Sequence, residues 1–378
     1  MNLSANLTAN GRDIRLNLFL GLANWFIFLD HIPNNFVNWI TSRNFGFSGA
    51  AEVFIFISGY TAATIYGKIM LERGFIVGAT RLLKRAWQLY AAYVVLFVIY
   101  IVVIGYVAAQ YAAPDLLNEF NVAGLIDHPI RILAHGLFLQ SKARNLDVLQ
   151  LYTLLILLFP PVLWSMLRWP TLTVLGSIAL YFAARQYGWN LASFPDGEWY
   201  FNPFCWQLLF VLGACAALEG AIELRATHQS TIALYCAAAY LIFALVMTMA
   251  GRFPEFGALF PAWLFDAFNP NDKENLAPYR VLHFVVVAFV VTRFVPMDWN
   301  GLNRPIFRPL VKCGEQSLAV FCAGVFLSFA GHFILTTSSG SAVMQLLVSA
   351  TGIAVMTSTA YYISWSKQQD AWKTLARA

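Results

Sequence analysis

The chain has 378 residues, a formal net charge of +5, 59% hydrophobic and only 11% charged residues, and a mean hydropathy of +0.63. A soluble domain carries about 25% charge, so this composition excludes a globular protein with one anchor and describes a polytopic membrane protein. There is no lysine-rich tract and no basic–aromatic ladder, which speaks against a nucleic-acid partner.

The first 15 residues are polar, and the apolar run after them lacks a small-residue cleavage site, so no cleavable signal is expected. Apolar runs long enough to span a bilayer fall near 15–32, 50–71, 83–110, 147–167, 171–188, 203–222, 230–250, 279–297, 314–335 and 342–365. The expected fold is an all-α bundle of about ten transmembrane helices forming a single domain over 1–378. The stretch 113–146 is too polar to cross, and His128-Pro129 predicts a short interfacial helix ending near Gln140. Polar stretches at 189–202 and 251–278, rich in Pro, Asn, Asp and Gly, read as loops. With both termini in the cytoplasm, Lys and Arg favour the cytoplasmic side by roughly two to one, the expected positive-inside bias.

Ionisable groups at membrane depth cost roughly 2.5–3.5 kcal/mol on insertion scales and mark functional sites. The first run ends in Asp30-His31, and the second begins with Glu52 and carries Ser58-Gly59. An imidazole has an ordinary pKa of about 6.5, so His31 can accept a proton near neutral pH. Asp30 is its chain neighbour but points about 100° away on a helix; Glu52 or Asp147, arriving from another helix, are the other candidate partners, with Glu52 favoured. Asn17, Asn24 and His31 are spaced by seven and share a helical face, either lining a groove or holding neighbouring helices.

Asp30, His31, Glu52, Asp147, Asn202, Gln207, Arg280 and His283 all fall near the outer ends of their runs, where an acid/base site and a substrate site are expected. Arg280 and His283 share a helical face suited to an anionic group or a sugar, although a buried structural histidine fits equally. Arg81, Lys84 and Arg85 lie at i, i+3 and i+4 at the inner mouth of the third run. They read either as the ordinary topological signal or as a phosphate site for a nucleotide-bearing donor such as coenzyme A. His128, His135, His228 and His332 read as structural, and Cys205, Cys215, Cys236, Cys313 and Cys322 as small buried residues. The chain lacks HExxH, CxxC, P-loop and GxSxG patterns, so no metal site, redox centre or serine hydrolase is expected.

Leu29-Asp30-His31-Ile32-Pro33-Asn34-Asn35, Ala51-Glu52-Val53-Phe54-Ile55-Phe56-Ile57-Ser58-Gly59-Tyr60 and Arg81-Leu82-Leu83-Lys84-Arg85 together resemble the OpgC-like branch of the acyltransferase-3 superfamily. Asn145-Leu146-Asp147, Phe201-Asn202-Pro203 through Gln207, and Gly314-Glu315-Gln316-Ser317 extend the resemblance along nearly the whole chain. The resemblance implies a ten-helix acyltransferase of the bacterial inner membrane. Its namesakes move succinyl groups from the cytoplasm to osmoregulated periplasmic glucans. It implies acyl-CoA, succinyl-CoA for the namesakes, as a donor rather than a resident cofactor. The implied partners are the lipid bilayer, a periplasmic glucan or other polysaccharide acceptor, and glucan-synthesis proteins.

The same resemblance assigns catalysis to His31, the acidic-Phe-Phe-x-x-Ser-Gly motif to Glu52, Ser58 and Gly59, and acyl-CoA contact to the RxxR-like motif at Arg81 and Lys84. One departure stands out: relatives carry an Asp-x-x-Arg-Gly pattern in the first helix, and here those positions are Asn17, Leu20 and Gly21. Paired loss of both charges avoids leaving one unpaired at depth. The expected mechanism is general-base O-acyl transfer by His31, with an acyl-histidine route as an alternative and Ser58, Asn202 or Gln207 as oxyanion donors. Two rival classes remain, a proton-coupled transporter and a relative that no longer catalyses.

Overall fold

The computed structural model describes residues 13–111, 115–122, 128–141, 143–194, 196–219, 229–297 and 299–375. Arg12, Lys142, Arg225, Arg377 and His228, which enter the charge pattern and the histidine survey, lie outside the described residues, as does the side chain of Lys373.

Among the described residues the long apolar runs are mostly helical. The helices are α1 (Ile14–Asp30), α2 (Ala50–Arg73), α3 (Phe75–Gln110), α4 (Pro129–Leu137), α5 (Asp147–Arg168) and α6 (Pro170–Tyr187). They continue with α7 (Pro203–Glu219), α8 (Thr231–Arg252), α9 (Pro278–Phe294), α10 (Arg308–Glu315), α11 (Ser317–Thr337) and α12 (Ala342–Leu375). No strand occurs among the described residues. Six helices, α2, α3, α5, α8, α11 and most of α12, are long and apolar enough to cross a membrane, with α7 a shorter apolar helix. α1, α7 and α9 have 17 residues each and α6 has 18, about 26 Å at 1.5 Å per residue, which is short for a span.

Local chemistry sets the ends. Asp13 caps α1 by accepting from the Arg15 N–H, and Pro129 opens α4 where His128-Pro129 predicted a helix start. The stretch 251–278, expected as loop, contains two short helices, Pro254–Gly257 and Ala262–Phe268. α3 begins at Phe75, eight residues before the expected start, so Arg81, Lys84 and Arg85 sit within a continuous helix. The expected run 314–335 is broken at Gln316 into α10 and α11.

The chain divides into two compact units. One holds the described residues of 55–223 and 272–277. Within it α3 packs on α5, and α7 packs on α6. α2 and α7 cross with backbones touching: a Cβ on Gly59 would fall 2.0 Å from the Phe210 carbonyl oxygen, and one on Gly213 2.0 Å from that of Phe56. Small residues permit this approach where lipid provides no hydrophobic drive between helices.

The other unit holds the described residues of 10–54, 224–271 and 278–378. α1 packs against α10 and α11, and α11 against α12. The same device recurs here, since a Cβ on Gly21 would sit 1.9 Å from the Leu310 carbonyl oxygen and one on Gly314 1.9 Å from that of Asn17. Phe28, Leu29, Ile32, Cys313, Val320 and Met356 form one buried core. Phe47 centres a second, stacked on Phe268 at 5.3 Å and edge-on to Tyr279 at 4.9 Å. Among the cysteines Cys205 and Cys313 are buried, whereas Cys236 lies on the exposed face of α8, contrary to its expected burial.

Candidate functional site

His31 is the C-terminal cap of α1, its backbone N–H bonded to Ile27 O at 3.0 Å and its ring half-buried. Pro33 prevents the helix from continuing, Asn34 turns the chain with φ of 57°, and Asn35 caps the next short helix by accepting from Val37 N–H at 3.1 Å. The Asn35 amide also donates to Ser349 Oγ on α12 at 2.9 Å. Asp30 accepts from the Thr41 hydroxyl at 2.8 Å and pairs with Arg43 at 3.0 Å. The loop after His31 is thus tied back to the residue before it.

The loop's far end leads into a buried ion pair. Glu52, fully buried at 0% exposure, accepts from Arg280 Nε and Nη2 through Oε1, and from Gly49 N–H at 2.9 Å through Oε2. Arg280 is itself 4% exposed, so this is a buried ion pair in which both carboxylate oxygens accept hydrogen bonds. One turn along α9, His283 Nδ1 accepts from the Ser48 hydroxyl at 2.7 Å and faces its N–H at 3.2 Å. A ring nitrogen that accepts carries no proton, so the neutral ring holds its hydrogen on Nε2. Gly46 is required beside it, because a Cβ there would lie 2.1 Å from Nε2. Sequence reasoning missed Gly46 and Ser48, whose only signal was their place just before a buried acid.

Glu52, favoured as the partner of His31, is therefore held by Arg280. Asn24 is 1% exposed and donates to Leu20 O at 3.0 Å and Ser317 Oγ at 3.1 Å, so it fastens α1 to α11 and does not line an open groove. Arg15 is bound by Asp13 and by Val295 O at 2.7 Å.

The other unit holds the remaining candidates. Ser58 is buried at 6% exposure beside the close-packed Gly59. Asn202 caps α7, accepting from Phe204 N–H at 3.0 Å and donating to Trp189 O at 2.7 Å and Asn275 Oδ1 at 2.9 Å. Gln207 ties α7 to α6 through the Ser177 hydroxyl at 2.6 Å and carbonyl at 2.9 Å. Asp147 opens α5, where a carboxylate suits the helix's positive end. Arg81 and Lys84 are exposed on α3 and Arg85 half-exposed. Arg81 also lines a cleft of about 480 Å³ with Lys68, Glu72 and Arg73, three residues not singled out from the sequence.

These helices, with charged and amide side chains buried among them, define a polytopic helical membrane protein. The chain matches the family described as OpgC protein over residues 12–368, and it belongs to that family. Membership points to an acyltransferase. No curated protein and no solved structure matches the chain.

Proposed function

We propose that the protein is an O-acyltransferase of the bacterial inner membrane that moves an acyl group, succinyl for the family's namesakes, from cytoplasmic acyl-CoA to hydroxyls of a periplasmic glucan. Membership of the OpgC family over residues 12–368 carries this reading. Placement in the acyltransferase-3 superfamily belongs to the same proposal, supported by the motifs around His31, Glu52 and Arg81. So does a ten-span topology with both termini cytoplasmic: α1, α6, α7 and α9 join the six longer helices where the bilayer thins or flanking residues snorkel.

In the proposed reaction His31 takes the proton of a sugar hydroxyl as its oxygen attacks the thioester carbonyl. The tetrahedral intermediate expels the CoA thiolate, which receives the proton. Such base assistance is worth about 10²–10⁴-fold. Arg81, Lys84 and Arg85 are proposed to hold donor phosphates. Arg280 and His283 are proposed to meet the acceptor. Of these Arg280 has the clearest spare capacity, since Nη1 has no partner among the described residues.

His31→Ala is expected to lower glucan acylation at least about 100-fold while the protein stays in the membrane, read by mass spectrometry of periplasmic glucans. Retention of most acylation would refute His31 as the base. A second reading, a relative that no longer catalyses, is favoured by Asn17 and Leu20 standing where relatives carry Asp and Arg. It predicts that unsubstituted protein releases no CoA from radiolabelled acyl-CoA in the presence of glucan.

A further inference from the structure

The loop that follows His31 meets the end of α8 at an aromatic stack, on the outer side in the proposed topology. Trp39, in the short helix Phe36–Ile40, stacks on Phe253 with ring centroids 5.9 Å apart and planes inclined by 24°. Both rings remain exposed, at 39% and 50%. Arg252, the last residue of α8, places its Cζ 5.5 Å from the Trp39 ring centroid. Arg43, further along the loop, pairs through Nε with Asp30, the chain neighbour of His31. Arg252 is within electrostatic reach of both Arg43 and Asp30. The terminal nitrogens of Arg43 and the whole guanidinium of Arg252 make no hydrogen bond to a described residue. Glu255, just beyond Arg252, forms no ion pair with either arginine among the described residues. Two cations therefore share one carboxylate, and the patch runs from beside the proposed base to an exposed aromatic face.

Like charges held close repel, and a bound anion removes that cost. A guanidinium offers a carboxylate paired N–H donors. The face of an aromatic ring is the negative part of its quadrupole, and the C–H groups on the flat side of a sugar ring pack against it. A saccharide that bears a carboxylate satisfies both halves of the patch. An unmodified glucan has no charge to meet the arginines, and a free dicarboxylate has no ring to meet Trp39 and Phe253. The proposed reaction itself makes the matching compound, because a succinyl ester leaves its second carboxylate free on the glucan. We infer that Trp39, Phe253, Arg43 and Arg252 form a subsite for a carboxylate-bearing saccharide, and that it holds a glucan already succinylated once so that the same chain is acylated again. This rests on the reading that a dicarboxylic acyl group is transferred to a glucan.

The test is equilibrium dialysis of a radiolabelled glucan oligosaccharide, unmodified or chemically succinylated, against the purified protein in nanodiscs of neutral lipid. The succinylated probe is expected to bind about fivefold more tightly, the effect of charge-assisted contacts at an exposed site. Arg252→Gln is expected to shrink that preference to within about twofold while leaving the unmodified probe unaffected, and Trp39→Leu to weaken both probes alike. Arg252 is exposed, so folding is not at stake in its variant. In mass spectra of glucan acylated by the unsubstituted protein, multiply succinylated chains are expected to exceed a random distribution, and Arg252→Gln to restore randomness at an unchanged rate of first substitution. Equal binding of the two probes would overturn the inference and leave the proposed reaction standing. A preference that survives both Arg252→Gln and Arg43→Gln would overturn it as well. So would a preference that vanishes when the nanodiscs contain phosphatidylglycerol, which would assign the patch to lipid headgroups. A preference shown by protein that never acylates glucan would uphold the subsite and sink the proposed reaction.

Discussion

Replacing Glu52 with alanine would strand the buried Arg280 guanidinium without a counter-charge. Loss of one partner of such a pair costs about 3–5 kcal/mol, whereas exchanging both for apolar residues of similar size is often neutral. Glu52→Ala is therefore expected to lower thermal stability in detergent sharply, and Glu52→Leu with Arg280→Met to recover most of it. A double variant as unstable as the single one would show that the pair's charge is not the issue. Glu52 was conspicuous in the sequence because an acid at depth demands an explanation. Its partner was not, for Arg280 lies 228 residues away and nothing local distinguishes it from His31 or Arg43 as the charge to be met. Asp30 presents the same limit, since hydrogen bonds to Thr41 and charge pairing with Arg43 depend on how the loop folds back.

Helices were legible where hydropathy alone decides, and less so where charge interrupts it. α3 begins at Phe75 because Arg, Lys and Leu are good helix formers, although a hydropathy scan registers Arg81-Leu82-Leu83-Lys84-Arg85 as the end of a span. Its 36 residues reach about 54 Å against a hydrocarbon thickness of about 30 Å, so a turn or more must project beyond the lipid. A cysteine at Lys84 is expected to react with a membrane-impermeant thiol reagent applied from the cytoplasmic side, and a position shielded by lipid would contradict that geometry. Packing between helices was the part hidden from the sequence. Gly59 was read as a motif residue and Gly21 as a remnant of one, yet each is a point of backbone contact with a partner helix. Gly314→Ala is expected to destabilise the α1–α10 contact by about 1–3 kcal/mol or more, seen as a lower midpoint of thermal unfolding, because the obstacle is a carbonyl oxygen and not a movable side chain.

For the molecule as a whole, the distribution of Lys and Arg predicts that a reporter active only outside the cytoplasm stays silent when fused at Ala378. An active fusion would invert the proposed sidedness and with it the assignment of donor and acceptor faces. The span count depends on helices near the lower limit of length, which composition could not separate from full spans. The Glu52–Arg280 pair bears on how such a chain is made. At about 5–20 residues per second, a ribosome needs about 10–50 s to synthesise the 228 positions between them. Throughout that interval α2 must enter the bilayer carrying an acid whose counter-ion does not yet exist. Early insertion is consequently the vulnerable stage of this protein's biogenesis, when the nascent segment either stays near the headgroups or shelters against the insertion machinery until α9 emerges.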